Sequence, residues 1–459
     1  MEKVFCISAG QLHTKKRDLL VHRKNRYLNY GLLSLASILK RNGFGTIQIQ
    51  GNFDSPETTL SVCIEQGILI SSAPVLISIP SFYAVSWANE FLAKLKSLSP
   101  KKKVVIGGRW VIDGQIESMK RLVPLADIVF DGMAEQHILK LVLGNENAIQ
   151  LYSEKSGLGM DASLDYSLLY ERELYQPSIE ISRGCGMKCS FCQEKDEPLT
   201  PLKKPLKILQ EAQSIFIDDE LAPMNFYLEA SIFASNQKWC EQLELEVLNN
   251  PISRFNWRTE ARVDSIRVKH LEHLYRAGLR VLDLGLESAS CNQLMAMNKS
   301  RKPKDYLTKA SELIIAAHEL GIMVKVNILL YAGETLATID ETLSWLDRHA
   351  EYITGVSVGP VIVFGWENKV TNYLSELSLL GASEACKPIT GVTHINLSKE
   401  IDYEKSLELA AWIGKRYSNE KDYFALKSFS YFSRDYSFNE FLRDSKPISE
   451  QLNYRISSS

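Results

Sequence analysis

The sequence predicts an α/β protein in which two domains with parallel β-sheets are followed by a helical C-terminal region. Residues 1–145 alternate short apolar runs with amphipathic stretches, which is typical of an N-terminal, Rossmann-like doubly wound domain. Residues 146–175 have weaker periodicity and are predicted to form a linker. Residues 176–365 repeat the strand and helix pattern six times, which indicates a partial (β/α)6 TIM-type barrel, and residues 366–459 have a mostly helical pattern.

Each strand of the first domain is predicted from a short apolar run that ends on small or turn-forming residues. The strands are Val4–Ser8, Thr46–Gln50, Val75–Ile79, Lys103–Ile106 and Asp127–Phe130. A helix is predicted over Tyr30–Asn42, and Gly43 ends it because glycine favours the left-handed cap of a helix. Ligands of doubly wound sheets bind beyond the carboxyl ends of the strands, so we expect a cofactor at the turns that follow them.

The second domain is predicted from six apolar runs separated by helical patterns. The strands are Ser178–Ser182, Asn225–Glu229, Phe255–Thr259, Val281–Leu286, Val324–Leu330 and Gly355–Val363. Beyond them, Tyr403–Arg416 has the periodicity of a helix, and an aromatic stretch follows over Tyr423–Phe441. We expect this aromatic stretch to pack against the barrel, with a lining role at the substrate as the alternative.

The composition indicates a globular protein with little net charge. Hydrophobic residues make up 45% of the 459 positions and charged residues 24%. The 53 basic and 55 acidic residues give a formal charge of −2, so nucleic acid is not indicated as a partner. No apolar run reaches the roughly 18 residues that cross a bilayer, and no apolar stretch of a signal peptide is evident. The sequence therefore predicts a cytoplasmic location and no membrane partner.

Three of the eight cysteines form a CxxxCxxC motif directly after an apolar strand: Cys185, Cys189 and Cys192. Thiolates bind iron–sulfur clusters and zinc alike. A cubane has four irons, so three thiolates leave one iron open for another ligand. A structural zinc site would require a fourth ligand, and no second CxxC or HxxxH pair supplies one, so zinc is the less favoured alternative. The five scattered cysteines are predicted to be small buried side chains.

With this motif, the second domain resembles the radical S-adenosylmethionine (SAM) superfamily. The resemblance implies that the three cysteines hold a [4Fe-4S] cluster and that SAM is cleaved there to a 5′-deoxyadenosyl radical. Members of the family place an aromatic residue before the last cysteine, where it flanks the adenine. Phe191 takes that position in this sequence.

Further segments along the barrel resemble the SAM-binding motifs of the family. At the end of the second strand, Glu229 matches the acid that contacts the SAM amino group, although the usual two preceding glycines are missing. Arg262 matches the arginine that reaches the SAM carboxylate, and Glu287 and Ser288 match residues that contact the ribose or methionine parts. A buried salt-bridge network is the structural alternative for the charged residues, and both roles are compatible. Leu329–Thr335 resembles a turn of the family and is predicted to be structural.

The first domain resembles the cobalamin (B12)-binding domain that precedes the barrel in one class of the superfamily. The segments Tyr30–Lys40, Val104–Gly108 and Asp131–Glu135 carry this resemblance. It implies cobalamin contacts beyond the strand ends, and the candidates are Tyr30, Gly31, Ser78, Ser81, Gly107, Gly108, Gly132 and Glu135. No aspartate-x-histidine-x-x-glycine loop occurs, so no axial histidine is expected. A glycine pair after a strand is also a common turn in Rossmann-like sheets.

The two resemblances together imply a cobalamin-dependent radical SAM enzyme, in the first place a methyltransferase that acts on an unactivated carbon. The first alternative is a radical cyclisation or rearrangement with the same cofactors. In a second alternative, the first domain binds no cobalamin and docks a substrate or partner, and a third is a structural iron–sulfur or zinc protein. The implied partners are a small-molecule or peptide substrate and an electron donor such as flavodoxin or ferredoxin. No catalytic acid or base is assigned beyond the cluster.

Overall fold

The structure, a computed structural model, describes residues 2–12, 19–108, 116–144, 163–216, 225–250, 255–365 and 367–456. It divides into two compact units, Met1–Tyr175 and Gln176–Ser459. Much of the expected linker, from 146 to 162, lies outside the described residues. The domain boundaries expected at residues 145 and 365 remain predictions.

The first unit contains one parallel sheet of five strands in the order β2-β1-β3-β4-β5. The strands are β1 (Lys3–Ser8), β2 (Gly45–Gln50), β3 (Val75–Ser78), β4 (Val104–Gly107) and β5 (Ile128–Val129). The neighbours of β1 are β2 on one side and β3 on the other, so the strand order reverses between β1 and β3. This order is typical of doubly wound sheets, which bind ligands at that reversal. The expected Rossmann-like fold is thus confirmed.

Helices connect the strands of the first unit. They are Leu19–His22, Tyr30–Arg41, Pro56–Glu65, Val85–Leu98, Ile116–Leu122 and Ile138–Leu143. Their starts follow from local chemistry: the side chain of Asn29 accepts a hydrogen bond from the backbone N–H of Leu32, and Ser55 caps the next helix in the same way, followed by a proline at its first position.

The second unit contains a parallel sheet of six strands in sequential order, from β6 at one edge to β11 at the other. The strands are β6 (Ser178–Glu180), β7 (Asn225–Glu229), β8 (Asn256–Arg262), β9 (Leu279–Glu287), β10 (Met323–Leu330) and β11 (Gly355–Pro360). The helices between them are Pro205–Phe216, Gln237–Asn249, Val268–Arg276, Cys291–Ala296, Pro303–Glu319 and Leu336–Arg348. Successive parallel strands joined by helices form the expected partial (β/α)6 barrel.

The strands of this barrel have an apolar outer face and a charged inner face, as β8 illustrates. Trp257 and Ala261 belong to the hydrophobic core, and the indole N–H of Trp257 donates to the carbonyl of Ala277 behind the sheet. Because successive side chains in a strand point to opposite faces, Arg258, Glu260 and Arg262 lie together on the inner face. The barrel interior is therefore polar at this strand.

The C-terminal region is mostly helical, as expected, and also contains a small antiparallel sheet in the order β12-β14-β13. Its strands are β12 (Ile362–Phe364), β13 (Ser383–Ile389) and β14 (Val392–Asn396), and its helices are Glu367–Ser378, Tyr403–Tyr417, Glu420–Ser428 and Phe438–Ser445. The expected strand Gly355–Val363 is divided between two sheets, because the chain leaves the barrel at Pro360 and continues into β12.

The aromatic stretch near the C-terminus forms a packed cluster. The ring centroids of Tyr423 and Tyr454 are 4.1 Å apart, and those of Phe424 and Phe441 are 5.3 Å apart. Phe432 and Phe441 are almost fully buried. These rings thus pack against one another, and their expected packing against the barrel remains a prediction. In the described part of the chain, no helix has both the length and the apolar character needed to cross a membrane.

Candidate active site

The loop that carries the three cysteines follows β6 and is held by its own backbone. The N–H groups of Cys185 and Gly186 both donate to the carbonyl of Glu197, at 3.1 and 3.0 Å, and the N–H of Cys192 donates to the carbonyl of Cys189 at 3.1 Å. Gly184 has φ +70°, a conformation that glycine adopts without strain. The loop thus folds back on itself at the carboxyl end of the first barrel strand.

The same loop is fixed to the segment that follows β9. The N–H of Ser190 donates to the carbonyl of Met297 at 2.9 Å, and the side-chain amide of Asn298 donates to the carbonyl of Lys188 at 2.9 Å. These two hydrogen bonds connect Met297 and Asn298 to the cysteine loop. They bring residues about 110 positions apart into one site.

Cys185, Cys189 and Cys192 form no disulfide in the described part of the chain, and Cys189 is buried. Among the residues that the structure describes, no three His, Cys, Asp or Glu side chains already converge on one point. A cubane does not need such a point, because each thiolate binds a different iron. The donor set fits an iron–sulfur cluster, because three thiolates on one short glycine-containing loop are its usual ligands.

Arg262, the last residue of β8, reaches the cysteine loop directly. Its Nη1 donates to Sγ of Cys189 at 3.0 Å, and its Nη2 donates to the carbonyl of Lys299 at 2.7 Å. Asp264 accepts from Nε at 2.9 Å and holds the guanidinium in this orientation. Burial raises the pKa of the Cys189 thiol, whereas the positive charges of Lys299 and Arg262 oppose that rise. Arg262 is therefore a fixed cation at the candidate cluster.

Glu287, the last residue of β9, forms an ion pair with Lys299. The distance from Oε1 of Glu287 to Nζ of Lys299 is 2.9 Å. The backbone of Glu287 has φ +67°, which is unusual for a residue other than glycine and is often found at functional sites. Nζ of Lys299 also lies 5.9 Å from the ring centroid of Phe191. The structure thus brings three of the expected residues, Phe191, Arg262 and Glu287, together around Cys189 and Lys299.

Two other expected SAM contacts have partners outside this group. Oε1 of Glu229, at the end of β7, accepts a hydrogen bond from the hydroxyl of Ser178 at 2.8 Å. Burial raises the pKa of Glu229 to about 8. The hydroxyl of Ser288 accepts from the N–H of Ser290 at 3.0 Å and lies 3.2 Å from that of Thr342. The roles of Glu229 and Ser288 toward SAM remain predictions.

Sequence reasoning did not assign roles to Lys299, Asp264 and Tyr331. Lys299 ends the segment Met297–Lys299, and Asp264 stands two positions after Arg262. Their positions close to expected SAM contacts could have indicated a role in the site. Tyr331 replaces the small residue of the family's turn, and its ring lies 6.4 Å from that of Phe191 in an edge-to-face arrangement. Its hydroxyl is 3.3 Å from that of Tyr373. Only the fold could reveal that contact, because 42 positions separate the two tyrosines.

In the first unit, polar side chains meet at the strand-order reversal. Nδ2 of Asn29 lies 3.1 Å from the hydroxyl of Ser8, at the end of β1, and 3.0 Å from that of Ser78, at the end of β3. The amide of Gln50, at the end of β2, is buried and has no hydrogen-bond partner in the described part of the chain. The same holds for the hydroxyl of Ser81. Such buried polar atoms fit a polar ligand at this edge.

The eight residues expected to contact cobalamin all follow strands at the carboxyl edge of this sheet or start the helix beside it. Tyr30 and Gly31 form the first turn of the helix Tyr30–Arg41. Gly107 ends β4, and Gly108 after it has φ +112° and lies against the backbone of Ile79. The others are Ser78, Ser81, Gly132 and Glu135. Their contacts with a cofactor remain predictions.

Comparison with known proteins identifies a domain within the second unit. The family model of the Radical SAM superfamily matches residues 179–346. The chain therefore contains a radical SAM domain, as the cysteine motif predicted. Among curated protein sequences, none matches this chain.

Solved structures share the fold at low sequence identity. The radical SAM methyltransferase TsrM from Kitasatospora setae, solved with its tryptophan substrate and a SAM analogue, is similar with a TM-score of 0.61 and 16% identity. The match covers 85% of this chain and 79% of TsrM. Because 85% of the chain is longer than either unit alone, the match includes parts of both units. The cobalamin-dependent SAM radical enzyme OxsB, solved with aqua-cobalamin and SAM, is similar with a TM-score of 0.56 and 16% identity. This match covers 82% of this chain and only 55% of OxsB.

Proposed function

We propose that this protein is a cobalamin-dependent radical SAM enzyme that methylates an unactivated carbon. The observation that carries the proposal is the hydrogen bond from Arg262 to Cys189, which joins the end of a barrel strand to the cysteine loop. A fixed cation at this place suits the binding of an anionic group next to a cluster. The likeness to TsrM and OxsB supports the cobalamin and methyltransferase parts of the proposal.

The bound groups would supply the chemistry: a reduced [4Fe-4S] cluster would provide the electron for cleavage of SAM to methionine and a 5′-deoxyadenosyl radical, and cobalamin would carry a methyl group. Cys185, Cys189 and Cys192 would hold the cluster, with a protein such as flavodoxin or ferredoxin as the electron source. Arg262 would bind the SAM carboxylate and Glu229 its amino group. Phe191 would flank the adenine.

The ion pair between Glu287 and Lys299 gives the site a second function, which is to orient SAM. Lys299 neutralises Glu287 from one side, so the carboxylate retains acceptor capacity for the ribose hydroxyls. Both side chains are largely buried. Charges held this way would keep SAM in one orientation.

The first unit would bind cobalamin at the carboxyl edge of its sheet. The buried polar groups of Gln50 and Ser81 and the hydroxyls of Ser8 and Ser78 supply hydrogen-bonding capacity there. No axial histidine is required by this arrangement. The proposal therefore assigns cofactor binding to the strand-order reversal, where doubly wound sheets commonly bind ligands.

Anaerobic purification with added cobalamin, followed by iron and cobalt analysis, tests the proposal. About four irons and one cobalt per chain, with 5′-deoxyadenosine formed from SAM under reduction, are expected. Iron without cobalt would make the first unit an interaction module. Absence of both iron and SAM cleavage would contradict the radical SAM function itself.

Variants of the cysteine loop supply the matched control. Replacing Cys185, Cys189 or Cys192 by alanine should abolish iron binding and SAM cleavage. Cys291 is outside the loop, so Cys291→Ala should leave both unchanged. Undiminished cleavage in any of the three loop variants would refute the cluster assignment.

A further inference from the structure

The inner face of β8 continues from the candidate cluster into the barrel. Arg262 reaches Sγ of Cys189, and Glu260 lies two residues earlier on the same face, a step of about 7 Å along the strand. Arg258 lies on the same face of β8, two residues before Glu260. Arg258 and Arg262 are buried, with 1% and 8% of their surfaces exposed, whereas the side chain of Glu260 between them is open to solvent. Glu260 is thus an accessible carboxyl directly inside the candidate SAM site.

The cations around Glu260 are already bound to another carboxylate. Asp283 is the register partner of Glu260 on β9. Its Oδ2 accepts from Nε of Arg258 at 2.9 Å, and its Oδ1 lies 3.1 Å from Nζ of Lys325 on β10. With Glu229 on β7, three carboxyls share this part of the interior with two cations. Burial raises the pKa of Glu229 to about 8, so this third carboxyl is largely neutral near pH 7. In the described part of the chain, both cations are bound to Asp283 and neither forms an ion pair with Glu260.

Aromatic rings and the C-terminal region enclose the same space. The ring centroids of Tyr227 and Tyr431 lie 5.3 and 5.7 Å from Cζ of Arg258. The depth of Glu260 in the barrel and the negative charge of Asp283 raise the pKa of its carboxyl, whereas the positive charge of Lys325 and a hydrogen bond from Tyr227 oppose that rise. Nη1 of Arg258 donates to the hydroxyl of Ser430 at 2.7 Å, which fixes the C-terminal region here. A carboxylate has about four acceptor positions, so one hydrogen bond leaves Glu260 able to bind a further donor.

We propose that Glu260 binds a protonated amine of an aromatic substrate inside the barrel and so determines the substrate class. A primary ammonium supplies a cation for the Glu260 carboxylate and several N–H donors. Tyr227 is buried against Arg258, so the half-buried Tyr431 provides the ring surface for an aromatic group. This inference rests on the proposed radical SAM function, because only that function places a substrate beside Cys189.

The test compares two ligands of the same size that differ in charge. Tryptamine has a protonated amine, and tryptophol has a hydroxyl in its place. Their dissociation constants are measured by calorimetry on the full chain with its cluster and with SAM present. Wild-type protein should bind tryptamine about tenfold more tightly than tryptophol. In Glu260→Gln this preference should disappear, whereas in Glu408→Gln, a variant of an exposed helix residue, it should persist.

A second variant should act in the opposite direction. Lys325→Met removes a cation of the interior, so the preference for tryptamine should increase. Circular dichroism establishes that each variant is folded. Equal affinities in the wild type, no binding of tryptamine, or an unchanged preference in Glu260→Gln would overturn the proposal. Calorimetry needs no turnover, so a failure of SAM cleavage, which would refute the radical SAM function, is distinguished from a failure of this inference.

Discussion

Nη1 of Arg262 donates a hydrogen bond to Sγ of Cys189 at 3.0 Å, although 73 positions separate the two residues. The other guanidinium nitrogens are bound to Asp264 and to the carbonyl of Lys299. One side chain thus joins the end of β8, the cysteine loop and the segment after β9. Its planar arrangement of donors makes these three bonds possible at once, which a lysine cannot reproduce.

Arg262→Lys should therefore weaken SAM binding even though it retains the positive charge. The single ammonium cannot contact Cys189, Asp264 and the carbonyl of Lys299 together, so the charge is no longer fixed. We expect the dissociation constant for SAM to rise about tenfold or more, measured by calorimetry on the reconstituted protein. Arg276→Lys, on an exposed helix surface, is the control and should bind SAM normally. Equal SAM affinity in Arg262→Lys and wild type would contradict the assignment.

The cysteine loop should fail when Gly184 is replaced by alanine. A Cβ at this position would lie 2.1 Å from the carbonyl oxygen of Pro198, and φ is +70°. The backbone must move, so iron content and SAM cleavage should both be lost. Gly186→Ala is the matched control: it has a similar φ of +67°, but its nearest atom is the N of Leu199 at 3.9 Å. It should cost only about 1 kcal/mol and retain iron. Equal iron content in both variants would refute the steric argument.

The parts of this protein that sequence could predict are those with local signals. The strands β6 to β11 have apolar outer faces, so short apolar runs in the sequence indicated them. The cysteine motif occupies eight consecutive positions and could be recognised directly. By contrast, β13 is exposed along almost its whole length and has no alternation to detect. Its partner β14 also pairs with β12, some 30 positions away, and such non-local pairing leaves no local pattern.

Long-range contacts limited the prediction of the site in the same way. The motif that contains Lys299 was recognised, but its ion pair with Glu287 and its contact with Phe191 depend on how two loops cross. The charge of Glu260 was equally visible in the sequence, but its accessibility inside the barrel depends on which face of β8 it occupies. Sequence thus indicated the residue types, and the fold determined which of them meet.

The buried pair of Arg258 and Asp283 should be important for the stability of the second unit. Both side chains are 1% exposed, and Arg258 also donates to the carbonyl of Leu426 at 2.7 Å. Arg258→Met removes the main partner of a buried carboxylate, so we expect a loss of about 3 to 5 kcal/mol in the free energy of unfolding. Urea denaturation measures the loss. The double variant Arg258→Met/Asp283→Leu removes both charges and should recover part of it, whereas a double variant less stable than the single one would contradict this account.

Glu334 should make stability depend on pH. It is buried in the turn after β10, where it accepts hydrogen bonds from Thr338 and from the N–H of Tyr331. Burial raises the pKa of Glu334 to about 7 from an unperturbed value of 4.5. The folded state therefore holds a proton that the unfolded state releases, so this group favours folding fully below about pH 4.5 and loses that contribution as the pH rises toward 7.

The difference between wild type and Glu334→Gln isolates this effect, because glutamine stays neutral at every pH. Between pH 5 and pH 8, the free energy of unfolding of Glu334→Gln should rise relative to that of wild type by about 2 to 3 kcal/mol. Urea denaturation across this range measures the difference. Glu341→Gln, on an exposed part of the next helix, should show no comparable trend. A constant difference between Glu334→Gln and wild type across this range would mean that Glu334 is already ionised at pH 5 in the folded protein.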